Sequence, residues 1–296
     1  MQTNAWFESL PIAPIGSWEP VSGGDINEAY RVIADGIPYF IKVQPHQSAQ
    51  YFAHEQAGLK ALGAVINTPR PISSGELDGN AYLILNWINE GPENQTALGR
   101  AVAKLHQQHA DQFGFPTNHR TKVLLKDNHW NNDWRDFYVN QRLQPEIQTA
   151  QKLGRWNDWR DQHFQNMINA FDQYYANHQV TPSLLHGDLW SGNYMFDQNG
   201  TPTLIDPDAL YGDREYDLAM TTIFGGFSQA FYQAYNEVSP LRSGFEKRLP
   251  WYQFYYLCMH LILFGETYGS AVDNILVDYR MKLATQLVVN KKRHSA

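Results

Sequence analysis

The 296-residue chain reads as an α+β protein of two unequal lobes. A small antiparallel-sheet lobe is expected over residues 1–88 and a larger helical lobe over 89–296. Up to about residue 88, short runs of β-branched and aromatic residues alternate with Gly, Asp and Pro, as strands joined by tight turns do. Beyond residue 96 the apolar residues recur at helical spacing. Between the two, LNWINEGPEN at 85–94 leaves a strand and runs into Gly-Pro, which sets the boundary there.

Three runs carry the strand pattern: AYRVIA at 29–34, PYFIKVQ at 38–44 and AYLILNWI at 81–88. Between the second and third, SAQYFAHEQAGLKALGAV places Phe52, Leu59 and Leu62 on one helical face. ALGRAVAKLHQQH then puts Leu98, Val102 and Leu105 on one stripe, with Arg100, Lys104 and Gln108 away from it. Further helices are predicted over 134–152, 156–178, 227–236 and 251–290. They are interrupted by two short strands, 194–196 and 203–206, joined by the turn sequence DQNG.

With 9 Trp, 17 Tyr and 15 Phe, the chain has too many large rings to be disordered. A net charge of −7 argues against capture of nucleic acid or of an anionic membrane surface. The single cysteine, Cys258, permits no internal disulfide and fits a reducing compartment. The start, MQTNAWFESLPIAP, has neither the basic nor the apolar region of a secretory signal. The longest apolar stretch, 254–265, is broken by His260 and falls short of the roughly 20 residues of a membrane span. A cytoplasmic protein is expected.

The segment LLHGDLWSGNYMFDQNGTPTLIDPD at 184–208 carries the clearest chemistry. It holds His186-Gly-Asp188, then Asn193 five residues after the aspartate, then Asp206 behind an apolar Leu-Ile. Phosphoryl transfer asks little covalent help of a protein. It needs an aligned hydroxyl and cations against the phosphate charge. Asp188, on a short loop, can orient an attacking hydroxyl and accept its proton. Asn193 and Asp206 supply the hard oxygen donors that suit Mg²⁺, and no Cys/His cluster accompanies them as zinc would require. His186 reads as a brace that bonds backbone carbonyls and stays clear of substrate.

Upstream, Gly23 and Gly24 in SGGDINEAYRV could let a backbone approach phosphate closely, although a Gly-Gly pair is also a common turn. Lys42 sits inside a strand pattern between Ile41 and Val43, where a charge needs an anionic partner. Glu55 on the following helix can be that partner and leave the lysine aimed at the α- and β-phosphates of a nucleotide.

A strand lysine, a helix glutamate, H-G-D-x4-N and I-D occur here in that order. The chain in this respect resembles the aminoglycoside phosphotransferase and choline kinase-like branch of the two-lobed protein-kinase fold. Within that branch it is most similar to the fructosamine kinase (ketosamine 3-kinase) family. The residues carrying the closer likeness are GGDIN at 23–27, HGDLWSGN at 186–193, YGDREYDLAM at 211–220 and the Trp-rich block DNHWNNDWRDFYVNQRLQPEI at 127–147. The likeness runs over roughly residues 10–290. It implies ATP and Mg²⁺ as cofactors, Asp188 as base, Asn193 and Asp206 as metal ligands, and Lys42 with Glu55 on the phosphates. The backbone of Asn86, Trp87 and Ile88 would form the adenine-binding hinge. The implied reaction is phosphorylation of the 3-hydroxyl of ketosamines, free or on glycated lysines of proteins. The unstable product then decomposes to release the amine, a deglycation repair.

Two positions depart from the family pattern. Asp25 stands where some relatives have Cys, and Asp208 stands where a small apolar residue is expected. Trp134, with Trp130 and Phe137, could pack the helical lobe or wall a sugar–amine pocket. Trp190, two residues after Asp188, is a better candidate for substrate contact. Asp213 and Arg214 could touch substrate or brace the loop, with Arg214 paired to Glu215 or Asp217. Asp217 reads as a helix cap or loop anchor. A kinase of the same fold acting on an aminoglycoside, choline, homoserine or a thio-sugar is the nearest rival. A catalytically dead binding module is opposed by the presence of all five polar residues, and no D-F-G or A-P-E pattern marks a protein kinase.

Overall fold

The computed structural model describes residues 2–12, 14–21, 27–121 and 123–277. Gly23, Gly24 and Asp25 lie outside the described residues, as does the 278–290 part of the last predicted helix. The chain divides into two compact units. The first comprises residues 1–108, 184–210 and 225–240, and the second residues 109–183, 211–224 and 241 onward.

The first unit is built on five antiparallel strands: β1 (Ile15–Pro20), β2 (Glu28–Ala34), β3 (Ile37–Pro45), β4 (Pro71–Leu77) and β5 (Asn80–Asn86). Their order in the sheet is β1-β2-β3-β5-β4. The three strands legible in the sequence are the inner ones, β2, β3 and β5. The two edge strands were not expected, because IGSWEP and PISSGEL bury little and carry Gly, Ser and Pro as exposed edges do. Two hairpins close on Asp-Gly pairs, Asp35-Gly36 and Asp78-Gly79, with all four residues at positive φ as a type I′ turn demands.

Alternation along the sheet gives it two apolar faces. Tyr30, Val32, Ile41, Val43, Tyr82 and Ile84 pack against Trp6, Phe7 and Leu10 from the short helix α1 (Asn4–Glu8) and the turn after it. Ala81, Leu83 and Leu85 face Leu59 of helix α2 (Ala53–Leu62) and Phe52 just before it. Lys42 pairs across the sheet with Leu83, so it lies on the α2 face while its neighbours Ile41 and Val43 point the other way. Helix α3 (Gln95–Leu105) buries Leu98, Val102 and Leu105 completely, as its periodicity predicted. Strand β8 (Ser183–Leu185) leads into the loop bearing Asp188, and the hairpin of β9 (Tyr194–Phe196) and β10 (Pro202–Leu204) follows. The Asp197 carboxylate shapes the turn of that hairpin by accepting from the Asn199 and Thr201 amides, both at 2.9 Å. Helix α8 (Gln229–Val238) packs on α3, and the rings of His106 and Tyr235 bond at 2.8 Å where they meet.

The second unit holds a small ladder of β6 (His119–Arg120) and β7 (Leu125–Lys126), then mainly helices. The predicted helix over 134–152 is one helical run, α4 (Trp134–Tyr138) and α5 (Gln144–Lys152) joined by a π-helical turn at Val139–Leu143. Helix α6 (Asp158–Tyr175) follows, and β11 (Leu210–Gly212) leads into α7 (Arg214–Thr221). Helix α9 (Phe245–Phe264) starts before its predicted position at 251. Pro250 lies inside the helix and forfeits one backbone bond, to the Glu246 carbonyl, without stopping it. A 3₁₀ turn at Gly265–Tyr268 interrupts what the periodicity ran together, and helix resumes over 269–277. Among the described residues, no helix is long and apolar enough to cross a membrane.

Candidate active site

Five of the residues expected to do chemistry meet within the first unit. Lys42, 5% exposed, donates from Nζ to Glu55 Oε1 at 2.8 Å and to Asp206 Oδ1 at 2.6 Å. The strand, the helix and the end of the β10 segment are thus joined through one ammonium. Burial alone would lower the Lys42 pKa, but the charges of Glu55 and Asp206 outweigh it and hold the group above its ordinary value. Burial raises Glu55 to about 7, with Lys42 opposing the rise and Asp206 adding to it. The Asp206 side chain is 45% exposed, so it keeps a face toward solvent while bonded to Lys42.

Asp188 and Asn193 are bound to each other. Asn193 Nδ2 donates to the Asp188 carbonyl at 2.8 Å and to its carboxylate Oδ2 at 3.0 Å. This commits the amide nitrogen and turns the amide oxygen into the donor available to a cation. His186 is fully buried and braces the loop as expected. Its Nε2 donates to the Ile205 carbonyl at 2.8 Å, and its Nδ1 accepts the Asp188 amide at 3.3 Å. The residue before the second carboxylate is thereby tied to the loop that carries the first. The Ile205 amide donates to the Asn193 carbonyl at 3.0 Å and adds a second tie.

Two backbone positions make this closeness possible. Gly187 sits at φ +86°, and a Cβ there would overlap the Asp208 carbonyl, so only glycine fits. Asp206 itself is at φ +56°, a left-handed conformation that costs a non-glycine residue about 1–3 kcal/mol and needs its surroundings to hold it.

At the hinge, the amides of Asn86 and Trp87 are already committed to the carbonyls of Arg70 at 3.2 Å and Pro38 at 3.3 Å. Of the three expected hinge residues, Ile88 therefore has the amide to offer a ligand. Asn86, Trp87 and Ile88 line a polar cavity of about 230 Å³ with Asn67, Asn89, Asp197 and Gln198. Trp190 is 39% exposed, with its indole laid against Gly192.

The remaining expected residues lie in the second unit. Asp213 and Trp134 are corrected from substrate contacts to structural ones. Asp213 is fully buried: Oδ1 caps α7 by accepting the Glu215 amide at 3.0 Å, and Oδ2 accepts the hydroxyls of Tyr175 and Tyr252, both at 2.9 Å. Trp134, 3% exposed, stacks on Phe137 and Tyr138 and donates Nε1 to the Tyr252 hydroxyl at 2.8 Å. Glu215 pairs with Arg248 through two bonds of 2.7 and 2.6 Å instead of with Arg214, which is half-buried at the first turn of α7. The cap of that helix is Asp213; Asp217, expected as a cap or loop anchor, lies in its first turn and is fully buried.

One pair was not expected. Asp208, noted only as a departure, lies 3.2 Å from His54 Nε2, and both side chains are buried. Nothing in the sequence marked His54 beyond its place before Glu55.

A lysine on two carboxylates, a half-buried aspartate and an amide oxygen are groups that could serve phosphoryl transfer. The model of the fructosamine kinase family matches residues 3–282. A relative from Lactiplantibacillus plantarum named "Probable ketoamine kinase" is 52% identical over 277 residues, 94% of this chain and 99% of the relative. A chloroplastic protein-ribulosamine 3-kinase of Arabidopsis thaliana is 36% identical, over 92% of this chain and 84% of its own. Among solved structures, a candidate fructosamine-3-kinase from Thermobifida fusca shares 30% identity at a TM-score of 0.79, covering 91% of this chain and 95% of that one. An aminoglycoside phosphotransferase, APH(4)-Ia, in complex with AMP-PNP and hygromycin B, shares the fold alone. Its TM-score is 0.63 at 16% identity, over 88% of this chain and 94% of that one. By a family match over nearly its whole length and by these relatives, the chain belongs to the fructosamine kinase family.

Proposed function

We propose that this chain transfers the γ-phosphoryl group of ATP to the 3-hydroxyl of ketosamines, free or attached to protein amines, and so acts in deglycation repair. The observation that carries the reading is the pairing of Asp188 with Asn193 on a loop tied to the Lys42–Glu55–Asp206 cluster. Lys42 binds nucleotide phosphate, with Glu55 keeping the ammonium in place. The hinge segment of Asn86, Trp87 and Ile88 takes the adenine, and Gly23 and Gly24 contribute to nucleotide binding. Asp188 orients the acceptor hydroxyl and takes its proton while the oxygen bonds to the γ-phosphorus and the bond to the bridging oxygen breaks, leaving ADP. The family assignment and the ribulosamine 3-kinase relative support a sugar–amine acceptor.

The donors suit Mg²⁺. Asn193 Oδ1 and the half-exposed Asp206 carboxylate are hard oxygens, and Asn193 is fixed for the purpose by its two bonds to Asp188. Bound Mg²⁺ supplies positive charge against the transferring phosphoryl group. Trp190 and Arg214 contact the acceptor. Residues 1–88 act as the nucleotide-binding lobe and residues 89–296 as the catalytic and acceptor-binding lobe, in a cytoplasmic enzyme.

The test is ATP consumption with Mg²⁺ on ribuloselysine and fructoselysine, against kanamycin, choline and homoserine. Turnover on a ketosamine that disappears in Asp188→Ala is the expected result. Turnover confined to another alcohol would overturn the acceptor while keeping the catalytic residues.

A further inference from the structure

We propose that His54 and Asp208 are a positioning pair that clamps the segment carrying Asp206 to helix α2, and so sets how tightly the site engages metal–nucleotide. The inference rests on the reading of Asp206 as a metal ligand given above.

Two successive residues of α2 act on one short segment. Glu55 reaches Asp206 through Lys42, and His54 reaches Asp208 directly, with Nε2 3.2 Å from Oδ1. One turn further along α2, Gly58 brings the helix backbone close to the residues between and beyond. A Cβ there would stand 3.0 Å from Pro207 Cγ and 3.1 Å from the Ala209 Cβ. Gly187 of the Asp188 loop also lies against the Asp208 carbonyl. The segment 206–209 is thus gripped between the helix and the loop that hold the two halves of the chemistry.

Such a grip has work to do here. Asp206 is held at φ +56°, and a left-handed aspartate relaxes unless neighbouring contacts over-determine it. Lys42 holds its side chain, but a bond to one carboxylate oxygen does not fix the backbone that aims the carboxylate. Asp208, two residues on, is the next side chain able to anchor that backbone to α2. At 8% exposure an aspartate is costly to bury without polar company, and His54, 3% exposed, brings Nε2 within ion-pair distance of it. A small apolar residue at 208 would pack against α2 without directional preference. The aspartate–histidine contact specifies one arrangement.

The pair is buried and acts through the segment that carries Asp206, so its effect falls on metal–nucleotide affinity. Partners of this kind around a metal ligand are worth about 10- to 100-fold in affinity or activity. The experiment is calorimetric titration of AMP-PNP with and without Mg²⁺ into the wild type, His54→Ala, Asp208→Ala and the double variant. Melting temperature and ketosamine turnover are measured beside it. Each single variant should weaken Mg²⁺-dependent AMP-PNP binding about 10-fold or more and lower kcat, with the acceptor KM within about twofold of wild type. The double variant should be no worse than the worse single, because the two residues act as one unit. If His54→Ala fails to fold, His54→Gln, which keeps a polar group facing Asp208, should fold and keep most of the affinity.

Folded single variants with unchanged Mg²⁺-dependent affinity, or effects that multiply in the double, would overturn the pairing. A wild type that shows these affinity changes in its variants yet phosphorylates no ketosamine would leave the pairing standing and remove the proposed acceptor. A wild type without Mg²⁺-dependent nucleotide binding would sink both.

Discussion

Replacing Lys42 by Met removes the cation that Glu55 and Asp206 share, and its cost should depend on pH in a way that only a buried three-charge cluster produces. Glu55 is lifted from 4.5 to about 7 in the folded protein, chiefly by burial. Between those values the native protein holds a proton that the unfolded chain has released. This group's contribution is therefore fully present below pH 4.5 and is lost as pH rises through 7. Above about pH 7 the wild-type carboxylate ionises against Lys42, and the loss levels off.

Without Lys42 the carboxyl keeps its proton to higher pH, so the variant continues to lose about 1.4 kcal/mol per pH unit where the wild type no longer does. The penalty for the substitution should be smallest near pH 6 and larger by about 2 kcal/mol near pH 8.5. It should approach there the roughly 3–5 kcal/mol expected for breaking a buried ion pair. Urea unfolding followed by tryptophan fluorescence at these two pH values measures it, provided the denaturant slopes agree. A penalty equal at both pH values, or larger at the lower one, would refute the electrostatic reading of Lys42, Glu55 and Asp206.

Asp188→Asn should lower kcat by about 10²- to 10⁴-fold and leave calorimetric affinity for Mg·AMP-PNP within about twofold, since it removes a base and spares the metal ligands. Gly187→Ala forces a Cβ against the Asp208 carbonyl at φ +86°. It should cost at least about 1–3 kcal/mol in urea unfolding and abolish turnover, and a stable, active variant would show that the loop approaches less closely than described. Glu146, 1% exposed, has its carboxyl held well above the usual range by burial, so stability drawn from it is lost as pH rises above about 4.5. Glu146→Gln should match the wild type in urea near pH 4 and exceed it increasingly toward neutral pH; a variant that falls behind as pH rises would mean the carboxylate is satisfied.

Much of the site was legible because its chemistry is local in sequence. Asp188, Asn193 and Asp206 lie within one stretch of 25 residues at 184–208, whose spacing follows from a loop, a 3₁₀ turn and a two-stranded hairpin. Lys42 and Glu55 were legible for a different reason: a lysine in an apolar strand must have an anionic partner, and the next helix offered one. The inner strands showed because both of their faces are buried. The edge strands β1 and β4 did not, because an edge has few apolar demands to satisfy. Trp134 and Asp213 misled because composition does not distinguish a ring or carboxylate that walls a pocket from one that completes a buried network. Asp213 has both oxygens committed inside the protein, to a helix start and to two tyrosine hydroxyls.

The sequence by itself determined the α+β character, the order of the chemical residues and the class of reaction, since periodicity and the needs of phosphoryl transfer are written in residue type and spacing. Tertiary structure decided which oxygens meet which cation. It set Asp206 at a left-handed φ between Lys42 and the Asp188 loop, brought Asp208 to His54 across more than 150 residues of chain, and turned Trp134 inward. Those outcomes depend on close approach at Gly187 and Gly58. Such distances arise only once the core has packed.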